Sequence, residues 1–241
     1  LVRLVNAERL AAGLAPLKPN YILFQSARAH NQDMIEQDFV AHAGSDGSFP
    51  PDRACARGYR PYGWGDCYVG ENIAVGYGTP AEVLQAWLDS PDHRANLMYD
   101  KYREIGVGHT TGGRWGIYWT MDLGAQPYLL PVFINNDAEI TVDRDVLLTL
   151  TREGVSSFGS LGAIIAVRAS EEPSFTDAAW RSWSWNIPFT LSPVDGLKSV
   201  FVEYSDGFRS AVSSDSIVLD SRPALTVEPT AVLLLVQAGT D

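Results

Sequence analysis

Residues 79–96 read TPAEVLQAWLDSPDHRAN and contain two helix starts in close succession. Thr79, the proline after it and Glu82 have the spacing of a capping box, and apolar residues at helical spacing follow. Ser90 also directly precedes a proline, as Thr79 does, which indicates a second helix start. The stretch therefore predicts one amphipathic helix followed by a short helix that carries His93.

Two further helices are predicted upstream of this stretch. Apolar residues at helical spacing predict a first helix that starts at Leu1 and ends before Gly13, and a second over about Tyr21 to Asp38. His30 lies on the apolar face of the second helix, where a histidine is usually a hydrogen-bonded core residue. We therefore expect His30 to be structural.

Strand patterns follow the helices. Apolar and polar residues alternate from Trp115 to Leu123, and Ile105 and Val107 share this period of two. Residues 1–125 are therefore predicted to mix helices with antiparallel strands.

The pattern changes after Gln126. Short alternating runs, separated by turn residues and including a hairpin signal at Asp206-Gly207, predict an antiparallel β-sandwich over residues 130–221. Residues 222–241 form a tail that either adds an edge strand to the sandwich or begins a truncated third module, and we favour the second. The predicted fold class is α+β followed by all-β.

Length and composition limit the function classes. The 241 residues suit two domains, and the apolar content of 46% is that of a globular protein. The net charge of -11 disfavours binding to nucleic acid or to anionic lipid, and no apolar run is long enough to span a membrane. No signal peptide is visible, so we expect a mature or trimmed segment.

The two cysteines lie close together in the chain. Cys55 and Cys67 flank a stretch rich in glycine and aromatic residues, which a disulfide could close. The alternative is a pair of buried, unpaired thiols, because spacing alone does not prove a bridge. A bridge would imply an oxidising compartment.

The candidate site residues are His42, Glu71, Ser90 and His93. A histidine and a glutamate that meet in space can act as a base with its orienting partner, or as two ligands of a divalent metal. The alternative for Glu71 and its neighbour Asn72 is that they only anchor a glycine-rich segment through hydrogen bonds. His42 is the stronger functional candidate, because it lies in a loop of small residues.

Six segments of the first half match one family in order: Leu4-Val5-Asn6-Ala7-Glu8-Arg9, Asp38-Phe39 with His42 and residues 44–47, Gly70-Glu71-Asn72-Ile73-Ala74, residues 87–96, Ile105-Gly106-Val107-Gly108, and Tyr118-Trp119-Thr120 as far as Gly124. On these segments, residues 1 to about 124 resemble the CAP superfamily (cysteine-rich secretory proteins, antigen 5 and pathogenesis-related 1 proteins) in its bacterial SCP-like form. The resemblance implies an α-β-α sandwich, a secreted or cell-surface location and a central cleft.

The resemblance also implies which residues line the cleft. Eukaryotic members use two histidines and two glutamates, a set that can hold a divalent cation. His42 and Glu71 match the first member of each pair, whereas Ser90 and Tyr118 stand at the other two positions. With His93 as a substitute ligand, His42, Glu71 and His93 would form a three-residue zinc site.

The second half resembles an Ig-like sandwich of bacterial surface proteins. Its matching segments include Val132-Phe133-Ile134, Val146 to Leu150 and Ile217 to Asp220. Trp180, Trp183 and Trp185 are interpreted either as core residues or as a platform for carbohydrate.

Three hypotheses about function follow. The first is a secreted or cell-surface protein that binds an extracellular ligand, polysaccharide or protein surface in a cleft around His42 and Glu71, with the Ig-like part as spacer or adhesion module. The second is a hydrolase in which His42 activates water, with or without a metal; an enzyme is the less favoured outcome. The third is a purely structural stalk.

Overall fold

The computed structural model describes residues 1–61, 65–152 and 161–222. Within these ranges the chain forms five helices, α1 to α5: Val2–Ala11, Tyr21–Glu36, Pro50–Ala56, Pro80–Asp89 and Pro91–Leu97. Strands β1 to β4 are Lys18–Pro19, Tyr68–Val75, Glu104–Gly112 and Gly116–Ala125. Strands β5 to β12 are Val132–Ile134, Ile140–Thr141, Asp145–Leu150, Ala166–Ser170, Arg181–Ser182, Asn186–Thr190, Gly196–Ser205 and Ser210–Leu219.

Strands β1 to β4 form one sheet, the N-terminal sheet, in the order β1-β3-β4-β2. Alternate residues of β4 face opposite sides, as the sequence pattern predicts. Trp119 and Met121 pack with residues of α1, α4 and α5 in one apolar cluster, whereas α2 covers the other face. The first half is therefore an α-β-α sandwich.

Two glycines let α2 approach the sheet closely. A Cβ atom on Gly106 would lie 2.2 Å from the backbone of Leu23, and one on Gly108 would lie 2.7 Å from the backbone of Ala27. Only residues without a side chain fit at these positions, so the spacing of the two glycines on β3 sets the distance between the helix and the sheet.

The predicted helices are present, and the structure contains one further helix, α3. Thr79 and Glu82 form both hydrogen bonds of the capping box at the start of α4. Helix α3, which begins at Pro50, was not among the predicted helices. The glycine-rich segment that carries Glu71 is also more regular than expected, because it forms β2 at the edge of the sheet.

The predicted disulfide is present. Cys55 at the end of α3 and Cys67 just before β2 are bonded, with their Cα atoms 5.7 Å apart. The bridge therefore attaches a short helix to the strand that carries Glu71.

Strands β5 to β12 form two sheets, of orders β10-β7-β5 and β6-β12-β11-β8-β9, which we call the C-terminal sandwich. One apolar core contains residues of both sheets, among them Leu148 and Val202. The predicted hairpin at Asp206-Gly207 joins β11 to β12. Pairing is antiparallel except between β6 and β12, which are parallel, so the expectation of a wholly antiparallel sandwich was wrong at this edge.

The Ig-like lineage of this sandwich stays a prediction. The tail strand predicted within residues 222–241 lies outside the described residues after Arg222. Among the helices in the described ranges, none has the length and apolar character needed to cross a bilayer.

Candidate functional site

The first two candidate residues meet in space. Glu71 lies on β2 opposite Asp122 of β4, and His42 lies in the loop between α2 and α3. His42 Nδ1 is 2.8 Å from Glu71 Oε1. The His42 side chain is 48% exposed, whereas the Glu71 side chain is 1% exposed. A buried carboxylate thus orients an imidazole that remains open to solvent.

This pairing determines which ring nitrogen faces outward. The Glu71 carboxylate accepts hydrogen bonds, so Nδ1 of a neutral His42 carries the hydrogen and Nε2 keeps a free lone pair. Nε2 of His42 can therefore accept a proton or a hydrogen bond from a ligand.

Arg53 of α3 completes the pair, although no sequence pattern pointed to it. Its Nη2 donates to Glu71 Oε2 over 2.7 Å, and its Nη1 donates to the backbone carbonyls of His42 and Ser48. The guanidinium therefore balances the buried carboxylate and fixes the loop that carries His42. The one sequence feature that could have drawn attention to Arg53 is its position two residues before Cys55.

His30 borders the site from α2. Its Nε2 donates to the carbonyl of Ala41 over 2.8 Å and lies 3.9 Å from Glu71 Oε1. Burial lowers the pKa of His30, and the negative charge of Glu71 opposes this shift only in part. His30 is thus a buried, hydrogen-bonded residue, and it also supports the loop next to His42.

His93 and Ser90 form the second part of the site, at the start of α5. Ser90 Oγ lies 2.8 Å from His93 Nδ1. Ser90 is the N-cap residue of α5, but its hydroxyl makes no cap bond to the helix backbone. Burial lowers the pKa of His93, and positive charge on His42 lowers it further.

Two asparagines hold α5 against β2. Asn72 donates to the carbonyl of His93 over 3.0 Å, and Asn96 donates to Asn72 Oδ1 over the same distance. These contacts agree with the alternative given for Asn72, that it anchors its segment through hydrogen bonds. They place His93 beside the strand that carries Glu71.

Tyr118 does not join this cluster. It lies on β4 four residues before Asp122, the partner of Glu71, which is about 13 Å along a strand. Its side chain is fully buried and its ring packs edge-on against Trp115. The structure therefore does not bring Tyr118 together with His42 and Glu71, because the register of β4 places it farther along the strand.

The zinc site suggested for His42, Glu71 and His93 does not fit this arrangement. Within the described ranges, no three histidine, cysteine or acidic side chains are placed to hold a metal ion together. Both oxygens of Glu71 are already bonded, one of them to the cationic Arg53. A divalent cation at Glu71 would also lie beside that guanidinium, so repulsion opposes its binding.

Asp122 is a buried carboxyl group that the sequence reasoning did not single out. Both of its oxygens and the neighbouring Ser26 hydroxyl are buried. Burial raises the pKa of Asp122 well above its ordinary value, and the neighbouring negative charge of Glu71 adds to the shift. Asp122 therefore keeps its proton to a higher pH than an exposed carboxyl group does, and it lies opposite Glu71 on β4.

Comparison with known proteins agrees with this fold. The model of the CAP family, described as the cysteine-rich secretory protein family, matches residues 2–123. The uncharacterized protein YkwD of Bacillus subtilis is 38% identical over 113 residues, which is 47% of this chain and 42% of YkwD. The uncharacterized membrane protein YlbC of the same organism is 30% identical over 108 residues, 45% of this chain and 30% of YlbC. The chain thus spans less than half the length of either relative.

Solved structures also align with the first half. An extracellular protein containing an SCP domain from Bacillus anthracis is 26% identical with a TM-score of 0.43, covering 51% of this chain and 38% of that one. An outer surface protein from Borrelia burgdorferi is 19% identical with a TM-score of 0.45, covering 52% of this chain and 89% of that one. On the match over residues 2–123, about half of its length, the chain belongs to the CAP family of cysteine-rich secretory proteins.

Proposed function

We propose that this CAP protein is a secreted or cell-surface binding protein, and that its ligand contacts His42, His93 and Ser90 beside the buried Glu71. The observation that carries the proposal is the 2.8 Å contact between the solvent-exposed ring of His42 and the buried Glu71 carboxylate. Such a pair presents a pre-oriented polar atom to a ligand at little entropic cost.

The disulfide supports the location. Bonds such as Cys55–Cys67 persist in oxidising compartments and are rare in the cytosol. We assign residues 1–125 to the binding domain and residues 130–221 to an Ig-like module that acts as spacer or adhesion element. The extracellular ligand is a polysaccharide or a protein surface.

The test is a fragment screen followed by NMR on the histidine ring signals. Fragments that occupy the site are expected to shift the signals of His42 and His93 and to leave that of His109 unchanged. His109 is the control, because it lies on β3, is exposed, and packs against Trp119 of β4. A His42→Ala variant should lose these responses, and a His109→Ala variant should keep them. Equal responses in both variants would contradict the proposal.

A hydrolase is the second candidate, because the Ser90 hydroxyl lies within hydrogen-bond distance of the His93 ring. Exposure of the protein to a fluorophosphonate probe separates the two functions. Covalent labelling of Ser90 that disappears in His93→Gln would favour the hydrolase. We expect no labelling, since no third side chain is seen to orient His93 among the described residues.

A further inference from the structure

A cavity lies between the CAP fold and the C-terminal sandwich. None of the residues that line it belongs to the His42 site. Its volume is about 570 Å³, within the range of pockets that bind small ligands. One wall comes from the α1 end and the segment before β3, including Leu14, Asp100 and Lys101. The other comes from the end of β7 with the residues that follow it and from the start of β10 with the residue before it, including Thr149, Arg152 and Trp185.

Polar contacts between the two halves hold these walls together. Arg103 donates from Nε to the backbone carbonyl of Arg152 over 2.8 Å. Lys18 of β1 bonds Asp215 at 2.5 Å and Asp137 at 3.2 Å, and Asp215 also accepts from the backbone of Ile134. The cavity is therefore a feature of a bonded interface between the halves.

An exposed aromatic face lies in the cavity wall. Trp185 is 51% exposed and packs edge-on against Trp183, with ring centroids 4.9 Å apart. The Arg152 guanidinium lies 4.0 Å from the centroid of the Trp183 ring and 5.2 Å from that of Trp185. An indole face of this kind suits the C–H face of a sugar ring, which is apolar although the ring edge is polar.

Side-chain amides lie beside this face. The Thr149 hydroxyl is 3.1 Å from Oδ1 of both Asn136 and Asn186. These contacts engage the amide oxygens, so the two amide nitrogens can donate to ligand hydroxyls. Leu14 and Ala15 also line the cavity and add apolar surface to it.

The charges of the cavity differ from those of the whole chain. Lys101, Arg103 and Arg152 line it together with a single carboxylate, Asp100, whereas the chain carries a net charge of -11. In the described part of the chain, Arg152 has no carboxylate within 4.0 Å, and its guanidinium is presented beside Trp185. A guanidinium so placed favours a carboxylate on the ligand.

We propose that this interdomain cavity binds a saccharide that carries a carboxylate. A uronic acid ring packs on Trp185, its carboxylate pairs with Arg152, and its hydroxyls accept from Asn136 and Asn186. The site is independent of the proposed function of His42 and requires both halves of the chain.

Calorimetric titration of the full chain with a galacturonic acid trimer tests the proposal, with neutral maltotriose for comparison. We expect the trimer of uronic acid to bind at least about tenfold more tightly than the neutral one, a difference of about 1.4 kcal/mol. Absence of binding by the uronic acid trimer, or equal affinity for both sugars, would overturn the proposal.

The chain offers a matched pair of tryptophan variants. Trp180 is 46% exposed and has Arg168 over its ring at 4.8 Å, but it does not line the cavity. Trp185→Ala should weaken binding at least about tenfold, whereas Trp180→Ala should change it by less than about twofold. Equal losses in both variants would show that the cavity is not the site.

Arg152→Gln tests the charge specifically. The bond from Arg103 ends on the backbone carbonyl of residue 152, so the substitution leaves it in place. The variant should bind the uronic acid trimer no better than maltotriose, with its affinity for maltotriose unchanged. A retained preference for the acidic sugar would contradict the role of Arg152. Circular dichroism of each variant checks that the fold is intact.

Discussion

Asp122 lies directly opposite Glu71 in the ladder between β2 and β4, so two carboxyl groups share one buried face of the N-terminal sheet. They are not equivalent. Glu71 is bonded to His42 and Arg53, whereas Asp122 is completely buried beside Ser26 and Glu71 and has no cation bonded to it among the described residues. Arg53 compensates the charge of Glu71, whereas burial and the nearby charge of Glu71 raise the pKa of Asp122.

The first prediction concerns the pH dependence of stability. Because burial and Glu71 raise the pKa of Asp122, the folded state keeps a proton that the unfolded chain releases above pH 3.8. This group therefore favours folding at low pH, and its contribution falls as pH rises from about 4 towards the raised pKa, by at most about 1.4 kcal/mol per pH unit. Asp122→Asn should remove this component.

Urea unfolding of the wild type and of Asp122→Asn between pH 4 and pH 7 provides the measurement. The variant should gain stability relative to the wild type as pH rises. A difference that stays constant over the range would show that Asp122 is ionised in the folded protein.

The second prediction concerns Arg53. Arg53→Met leaves the Glu71 carboxylate buried without its cation, and removal of one partner of a buried ion pair costs about 3–5 kcal/mol. The free energy of unfolding from urea titration checks this value. Adding Glu71→Gln to Arg53→Met should recover part of the loss, because the second substitution removes the uncompensated charge. A double variant less stable than the sum of the two single effects would contradict this account.

The third prediction concerns the two solvent-accessible histidines of the site. Burial is the main cause of the lowered pKa of His93 and positive charge on His42 lowers it further, so His42→Gln should raise the pKa of His93 part of the way towards its ordinary value of 6.5. Histidine ring signals followed by NMR between pH 4 and pH 8 measure the shift. His109→Gln is the control and should leave His93 unchanged. If the two variants behave alike, His42 and His93 do not interact.

The fourth prediction concerns the disulfide. Replacing Cys55 and Cys67 together by alanine opens a loop with a sequence separation of 12, which should cost about 3 kcal/mol. The loss should also affect the site, since the bridge attaches α3, which carries Arg53, to β2. We expect a lower urea midpoint and a broadened His42 ring signal. An unchanged midpoint would show that the bridge does not contribute to stability.

Some of the site could be predicted from local sequence. The capping box before α4 and the proline at the start of α5 placed His93 at a helix start, since caps and prolines act within one turn. The alternation in β4 separated Trp119 and Met121 from Asp122 correctly, because strand geometry has a period of two.

Other parts could not be predicted, because they depend on which elements are neighbours. Tyr118 has the right residue type and a plausible position in the sequence, but the pairing of Val75 with Tyr118 places it at the far end of the sheet. Arg53 and Asp122 were missed for the same reason: their importance comes only from their contact with Glu71.

The sequence by itself determined most of the helices and strands, the α-β-α class of the first half, the candidate disulfide and the choice of His42 and Glu71 as a candidate pair. These depend on local periodicity, on helix caps and on motifs that retain their order along the chain. The tertiary structure alone decided the different surroundings of two facing carboxyl groups, the distance of Tyr118 from Glu71, and the cavity between the halves. Burial and the distance between charges are properties of packed elements, and no short stretch of sequence specifies them.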